Sequence, residues 1–142
     1  MSDQETPRIP RVQNVYGGIV YWVTILACLI CMVGPVISVA SPDNNVLDPY
    51  KLFTAIFEGK DAQTVWQEVG GEFPGGHFYL KNLTYGDGFT QFGLALGCSV
   101  ALWALIAAAI AYASDRIYLY VSLSLWVAFL VALSMVGIVG MH

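Results

Sequence analysis

Residues able to do chemistry are few in this chain, and each has a packing role open beside the chemical one. Cys28-x-x-Cys31 has the spacing of a redox pair. In a helix, however, residues three apart share a face and do not readily close an unstrained disulfide. Free cysteine packs as a small hydrophobe, so Cys28, Cys31 and Cys98 are expected to be packing residues. His77 stands in a glycine-rich stretch, GGEFPGGHFYL, with Tyr79 and Trp66 close by in sequence. A lone histidine supplies no ligand set, so no metal is expected; contact of His77, Tyr79 or Trp66 with a quinone is the chemical alternative. Asn82-Leu83-Thr84 matches a glycosylation sequon, which carries meaning only in a secretory eukaryote. Asp115 and Arg116 are adjacent in a run that is otherwise uncharged from Gly88 to Met141. They form either an ion pair inside a membrane or a turn at its surface.

The elements that hold these residues follow from composition. A chain of 142 residues with 57% hydrophobic and 11% charged residues, at a mean hydropathy of +0.64, lies outside the range of soluble domains. An all-α integral membrane protein is expected. The net charge of -4 argues against nucleic acid as a partner. About 20 apolar residues, rising about 1.5 Å each, cross a hydrocarbon layer of about 30 Å. Three segments qualify as transmembrane helices: residues 15–40, 89–113 and 117–141. The first is a single N-terminal span and the other two form a helical hairpin. The charged pair sits at the midpoint of a run twice as long as one crossing needs, and charge inside a bilayer is costly. Residues 114–116 are therefore a turn marked by Asp115 and Arg116, with Asp115 capping the third helix.

Orientation comes from the arginines near the span ends. Arg8 and Arg11 precede the first span and Arg116 lies in the turn, which places residues 1–14 and 114–116 on the cytoplasmic side. Residues 41–88 are then extracytoplasmic, with three lysines against seven acids, and the C-terminus is also outside. A cleaved signal peptide ending at Ser38-Val39-Ala40 is the rival to the first span; an apolar stretch well beyond the usual length of about 7 to 15 residues opposes it.

The outer segment carries its own punctuation. Asp48 as N-cap, Pro49 at the first helical position and Gly59 as stop predict a helix over 49–58, with Leu52, Phe53, Ile56 and Phe57 in one apolar stripe. A second short helix is predicted from Asp61, as cap, to about Val69, anchored by Val65 and Trp66. The glycine- and aromatic-rich stretch after it reads as an ordered loop dense in turns.

Away from their boundaries the spans contain no Asp, Glu, His, Lys or Arg, so this chain alone offers no proton relay and no haem ligand pair. Catalysis by this chain alone is not expected, nor is a bound cofactor, although contact with lipid or quinone is open. What the spans carry is packing information. Gly93, Gly97 and Ala101 form one row of small residues, and Ser124, Ala128 and Ala132 form another. Each row serves either the internal hairpin contact or a partner. Trp103 and Trp126 lie at similar distances from the turn, at a depth where an indole N–H wants an acceptor or a protein neighbour. Pro35 should kink the first span.

The hairpin sequences DGFTQFGLALG and SDRIYLYVSLSLWVAFLVALSMVG, preceded by one span, resemble a family of small prokaryotic three-helix membrane proteins of unknown function. Its members often carry an Asp-Arg-x-Tyr turn, matched here by Asp115, Arg116 and Tyr118. Genes of that family often lie beside exporters of the sulfite and sulfonate type, so the resemblance implies an accessory role. The expected function is a non-catalytic accessory or scaffolding subunit of a bacterial or archaeal inner-membrane complex, hetero-oligomeric with other integral membrane subunits. The alternatives are a respiratory or electron-transfer subunit contributing to a quinone pocket, and a small transporter component that acts as an oligomer.

Overall fold

A computed structural model describes residues 9–72, 75 and 77–137. Among the described residues the chain is helical and contains no strand. The elements are α1 (Arg11–Ala40), α2 (Pro49–Phe57), α3 (Ala62–Val69), a 3-10 turn (Phe78–Leu80), α4 (Gly86–Ser114) and α5 (Tyr118–Met135). Helices α1, α4 and α5 are each long and apolar enough to cross a bilayer. Helices α1 and α4 start earlier than the apolar segments at 15 and 89. Apolarity reports the hydrocarbon layer, whereas a helix runs on until its backbone is capped. Pro10 supplies its carbonyl to the Gln13 amide at 3.0 Å, and Arg11 opens α1. The predicted end of the third helix, residues 138–141, lies outside the described residues, as do Arg8 and His142.

Helix α2 follows its punctuation. The Asp48 carboxylate accepts the Tyr50 amide at 3.0 Å, Pro49 occupies the first turn, and Gly59 takes φ +73° after the C-cap Glu58. The Gly59 amide donates to Ile56 and the Lys60 amide to Ala55, which closes the helix with a left-handed residue.

The chain divides into two compact units, Met1–Thr24 with Cys98–His142, and Ile25–Gly97. In the second of these, α1 and α4 run antiparallel along a seam of small residues. A Cβ placed on Gly97 would lie 3.6 Å from that of Ala27, and one on Gly93 would lie 2.9 Å from Cys31 Sγ. One on Gly34 would lie 3.0 Å from Thr90 Cα, and one on Gly86 would lie 2.8 Å from Ser38 Cα. Ala27, Cys31, Gly34 and Ser38 therefore meet Gly97, Gly93, Thr90 and Gly86 in order. Both rows step by four, three and four residues, the spacing that keeps one stripe facing a neighbouring helix. Gly93 and Gly97 are thus engaged by α1, a contact that neither expectation for this row named.

In the other unit, Val12 is buried against Ala108 and Ala111, with Tyr112 at the edge of the cluster. Tyr112 stacks on Tyr120, ring centroids 5.2 Å apart. The turn between α4 and α5 corrects one expectation. Asp115 does not cap the third helix; Ile117 occupies that N-cap position and makes no side-chain cap hydrogen bond. Instead Asp115 and Arg116 close α4. The Arg116 amide donates to Ala113, the Ile117 amide to Tyr112, and Arg116 takes φ +57°. This is the geometry seen at the end of α2, with arginine in the position that glycine usually fills.

Candidate functional site

The most built part of the Ile25–Gly97 unit is where the segment after α1 is tied to the first turn of α4. The Asp87 carboxylate accepts three backbone amides: Val46 at 3.0 Å, Leu47 at 2.9 Å and Gly88 at 2.8 Å. A carboxylate at a helix start also meets the positive end of the helix dipole. Asn45 ties the same segment to α1. Its amide donates to the Ser38 carbonyl at 2.9 Å and the Pro42 carbonyl at 3.1 Å, and its oxygen accepts the Ser38 hydroxyl. Asn44 reaches across to the Thr84 carbonyl at 3.0 Å, while its own carbonyl accepts the Gly86 amide at 3.0 Å.

These ties hold α2 beside the end of α1 and leave a cleft of about 300 Å³ between α1, α2 and the start of α4. Its walls are Pro35, Val39, Leu47, Leu52 and Phe53, and Asp87, Thr90 and Gln91 supply polar groups. A neighbouring cavity of about 200 Å³ shares Val39, Pro49 and Phe53 with it. An apolar concavity with a few polar groups is the usual form of a small-ligand site.

On the other side of α2, Lys60 Nζ lies 2.9 Å from Glu58 and 2.5 Å from Glu68. The hydrogen bond to Glu68 first, and that to Glu58 second, raise the Lys60 ammonium above its ordinary 10.5. Asp61 holds the N-cap position of α3, where it accepts the Thr64 hydroxyl. That bond lowers its carboxyl below the ordinary 3.8.

The other residues singled out by sequence fall as follows. Trp66 packs edge-on against Phe78 at 5.5 Å between ring centroids, His77 meets Tyr79 at 6.0 Å, and Tyr79 meets Phe92 at 6.5 Å. His77 Nδ1 and the Tyr79 hydroxyl are 3.4 Å apart. These are aromatic packing contacts, and the cleft beside α2 is lined by other residues. Among the described residues, no group of three or more His, Cys, Asp or Glu side chains could hold a metal ion. All three cysteines are free; Cys31 is half-buried, with its thiol 4.0 Å from the Thr90 carbonyl, while Cys28 and Cys98 are exposed. Ala101 is half-buried on α4, and Ser124, Ala128 and Ala132 lie along the least exposed stripe of α5. The two tryptophans differ. Trp103 donates its indole N–H to Ser99 Oγ at 3.1 Å, within α4. Trp126 is 60% exposed, packs against Phe129 at 6.1 Å between centroids, and finds no hydrogen-bond acceptor among the described residues.

Sequence reasoning missed Asp87, Asn45, Gly34 and Thr90. The matching four-three-four spacing of small residues in α1 and α4 was the signal that could have found the last two.

Among the described residues the geometry is all-α, with three helices long and apolar enough to cross a membrane. A family model matches residues 13–138, and the chain belongs to that family. An uncharacterized protein of the archaeon Archaeoglobus fulgidus is 28% identical over 95 residues, covering 66% of this chain. The match spans 61% of that relative's length. No solved structure matches the chain.

Proposed function

We propose that this chain is a non-catalytic accessory subunit of a larger prokaryotic membrane complex, held in the cytoplasmic membrane by α1, α4 and α5. In this reading the start of α1 and the Asp115–Arg116 turn face the cytoplasm, and residues 41–85 face outward. The observation that carries the reading is the Trp126 side chain. It lies eight residues into α5, roughly 12 Å along the axis at about 1.5 Å per residue, and so within the hydrocarbon. An indole N–H there meets no water, and leaving a polar group unpaired in an apolar medium costs on the order of 1–3 kcal/mol. An acceptor on a second subunit removes that cost. The Asp-Arg-x-Tyr turn supports the resemblance to small three-helix membrane proteins of unknown function, whose gene neighbours imply an accessory role. Purification of the native protein in mild detergent tests the assignment: unrelated integral membrane subunits should accompany it at a constant ratio. Recovery only as copies of itself would overturn the reading in favour of an oligomeric transporter component.

A further inference from the structure

We propose that the cleft between α1, α2 and α4 is a lipid site, holding one acyl chain of a bilayer glycerolipid with its ester carbonyl at Gln91. The proposal rests on the three-span reading above. Pro35, Ser38 and Val39 belong to the last turns of α1, and Asp87, Thr90 and Gln91 to the first turns of α4. In that reading the cleft lies where hydrocarbon gives way to head groups, which is where an ester carbonyl sits.

Its chemistry selects the occupant. Leu47, Leu52, Phe53, Pro35 and Val39 offer an apolar wall. The polar groups are mostly committed already. Asp87 accepts three amides, the Thr90 hydroxyl donates to the Gly86 carbonyl at 2.8 Å, and the Ser38 hydroxyl donates to Asn45. The Gln91 carboxamide has no such partner among the described residues, so its N–H groups are available to a neutral acceptor. Asp87 is the one charged side chain lining the cleft, and an anion there disfavours a carboxylate or phosphate in the same space. A carbonyl at the head of a hydrocarbon chain satisfies both conditions. The shape agrees: the 300 Å³ cleft and the 200 Å³ cavity share Val39, Pro49 and Phe53, which makes a trough rather than a round chamber. Its rim is continuous with exposed apolar surface, since Val36 and Val39 of α1 and Phe53 of α2 are all exposed. A chain can therefore enter sideways from the bilayer.

The test uses the full-length protein in phosphatidylcholine vesicles doped with phosphatidylcholine whose acyl chain carries a photoactivatable diazirine near the ester. Labelled residues are mapped by mass spectrometry. Labelling at Val39, Leu52 and Phe53 should saturate as the probe fraction rises. It should fall several-fold in Leu52→Trp or Val39→Phe, which fill the trough, and about two-fold or more in Gln91→Leu. Labelling at Leu119, an exposed residue at the interfacial start of α5, should rise in proportion to probe and be unchanged in all three variants, which reports that each is inserted. Cleft labelling that rises linearly and survives the filling variants would overturn the site, as would displacement by an added quinone but not by unlabelled phosphatidylcholine. Absence of label from Leu119 in the parent protein would instead defeat the three-span reading, and the site with it.

Discussion

Arg116 takes the left-handed conformation that Gly59, Gly71 and Gly137 take just past the ends of α2, α3 and α5. For a residue with a Cβ that conformation costs roughly 1–2 kcal/mol. Arg116→Gly should therefore raise stability by about 1 kcal/mol, measured by unfolding in detergent micelles. Asp115→Ala should change it little, because the carboxylate caps no helix; a capping aspartate would lose about 1 kcal/mol. The two variants together separate a closing turn of α4 from a start of α5. Asp87 is the opposite case. Asp87→Ala leaves the Val46 and Leu47 amides without their acceptor and should cost about 3 kcal/mol, read in the same assay and as faster amide exchange at those positions. Neither role was legible from one residue and its neighbours. Asp48, Pro49 and Gly59 could be read because their partners lie within one turn. The partners of Asp87 lie about forty residues away, and nothing in an arginine side chain announces a positive φ.

Between elements, the α1–α4 seam depends on the absence of side chains. Gly93 meets Ile30 and Cys31, so Gly93→Leu must push the helices apart. A loss of about 3 kcal/mol is expected, in the range of overpacked helix contacts. Gly17→Leu should be nearly neutral in packing, since a Cβ there meets nothing within 4 Å. The row on α4 was visible in the sequence, but its partner shows there only as the same four-three-four spacing of small residues in α1. A small-residue row states that something comes close without saying what does. The α2–α3 connection adds a pH dependence. Lys60 is raised by Glu68 and Glu58, so its contribution is complete below the ordinary value of 10.5 and is lost as pH climbs through the higher folded value. Asp61 is lowered, so its contribution holds above 3.8 and fades as pH falls through the lower folded value. Amide exchange in α2 and α3, corrected for its intrinsic rate, should stay level from pH 5 to about 10 and quicken beyond both limits. The upper effect should shrink in about 1 M salt, because both glutamates are exposed and the screening length is then about 3 Å. Loosening between pH 5 and 10 would exclude Lys60 and Asp61 as the cause.

At the scale of the whole chain, hydropathy gave the number of long apolar helices because length and composition alone decide whether a helix can cross a bilayer. It gave nothing about a partner, since lipid and protein neighbours are equally apolar. Under the accessory reading, residues on α5 divide by face. Ala128 is buried against this chain, whereas Trp126 points away from it. The most direct test is a photocrosslinking amino acid placed at 126 in native membranes, with one at 128 as the internal reference. Position 128 should crosslink only within the chain. Position 126 should give one discrete adduct with a different integral membrane subunit, and crosslinks from 126 to lipid alone would contradict the account.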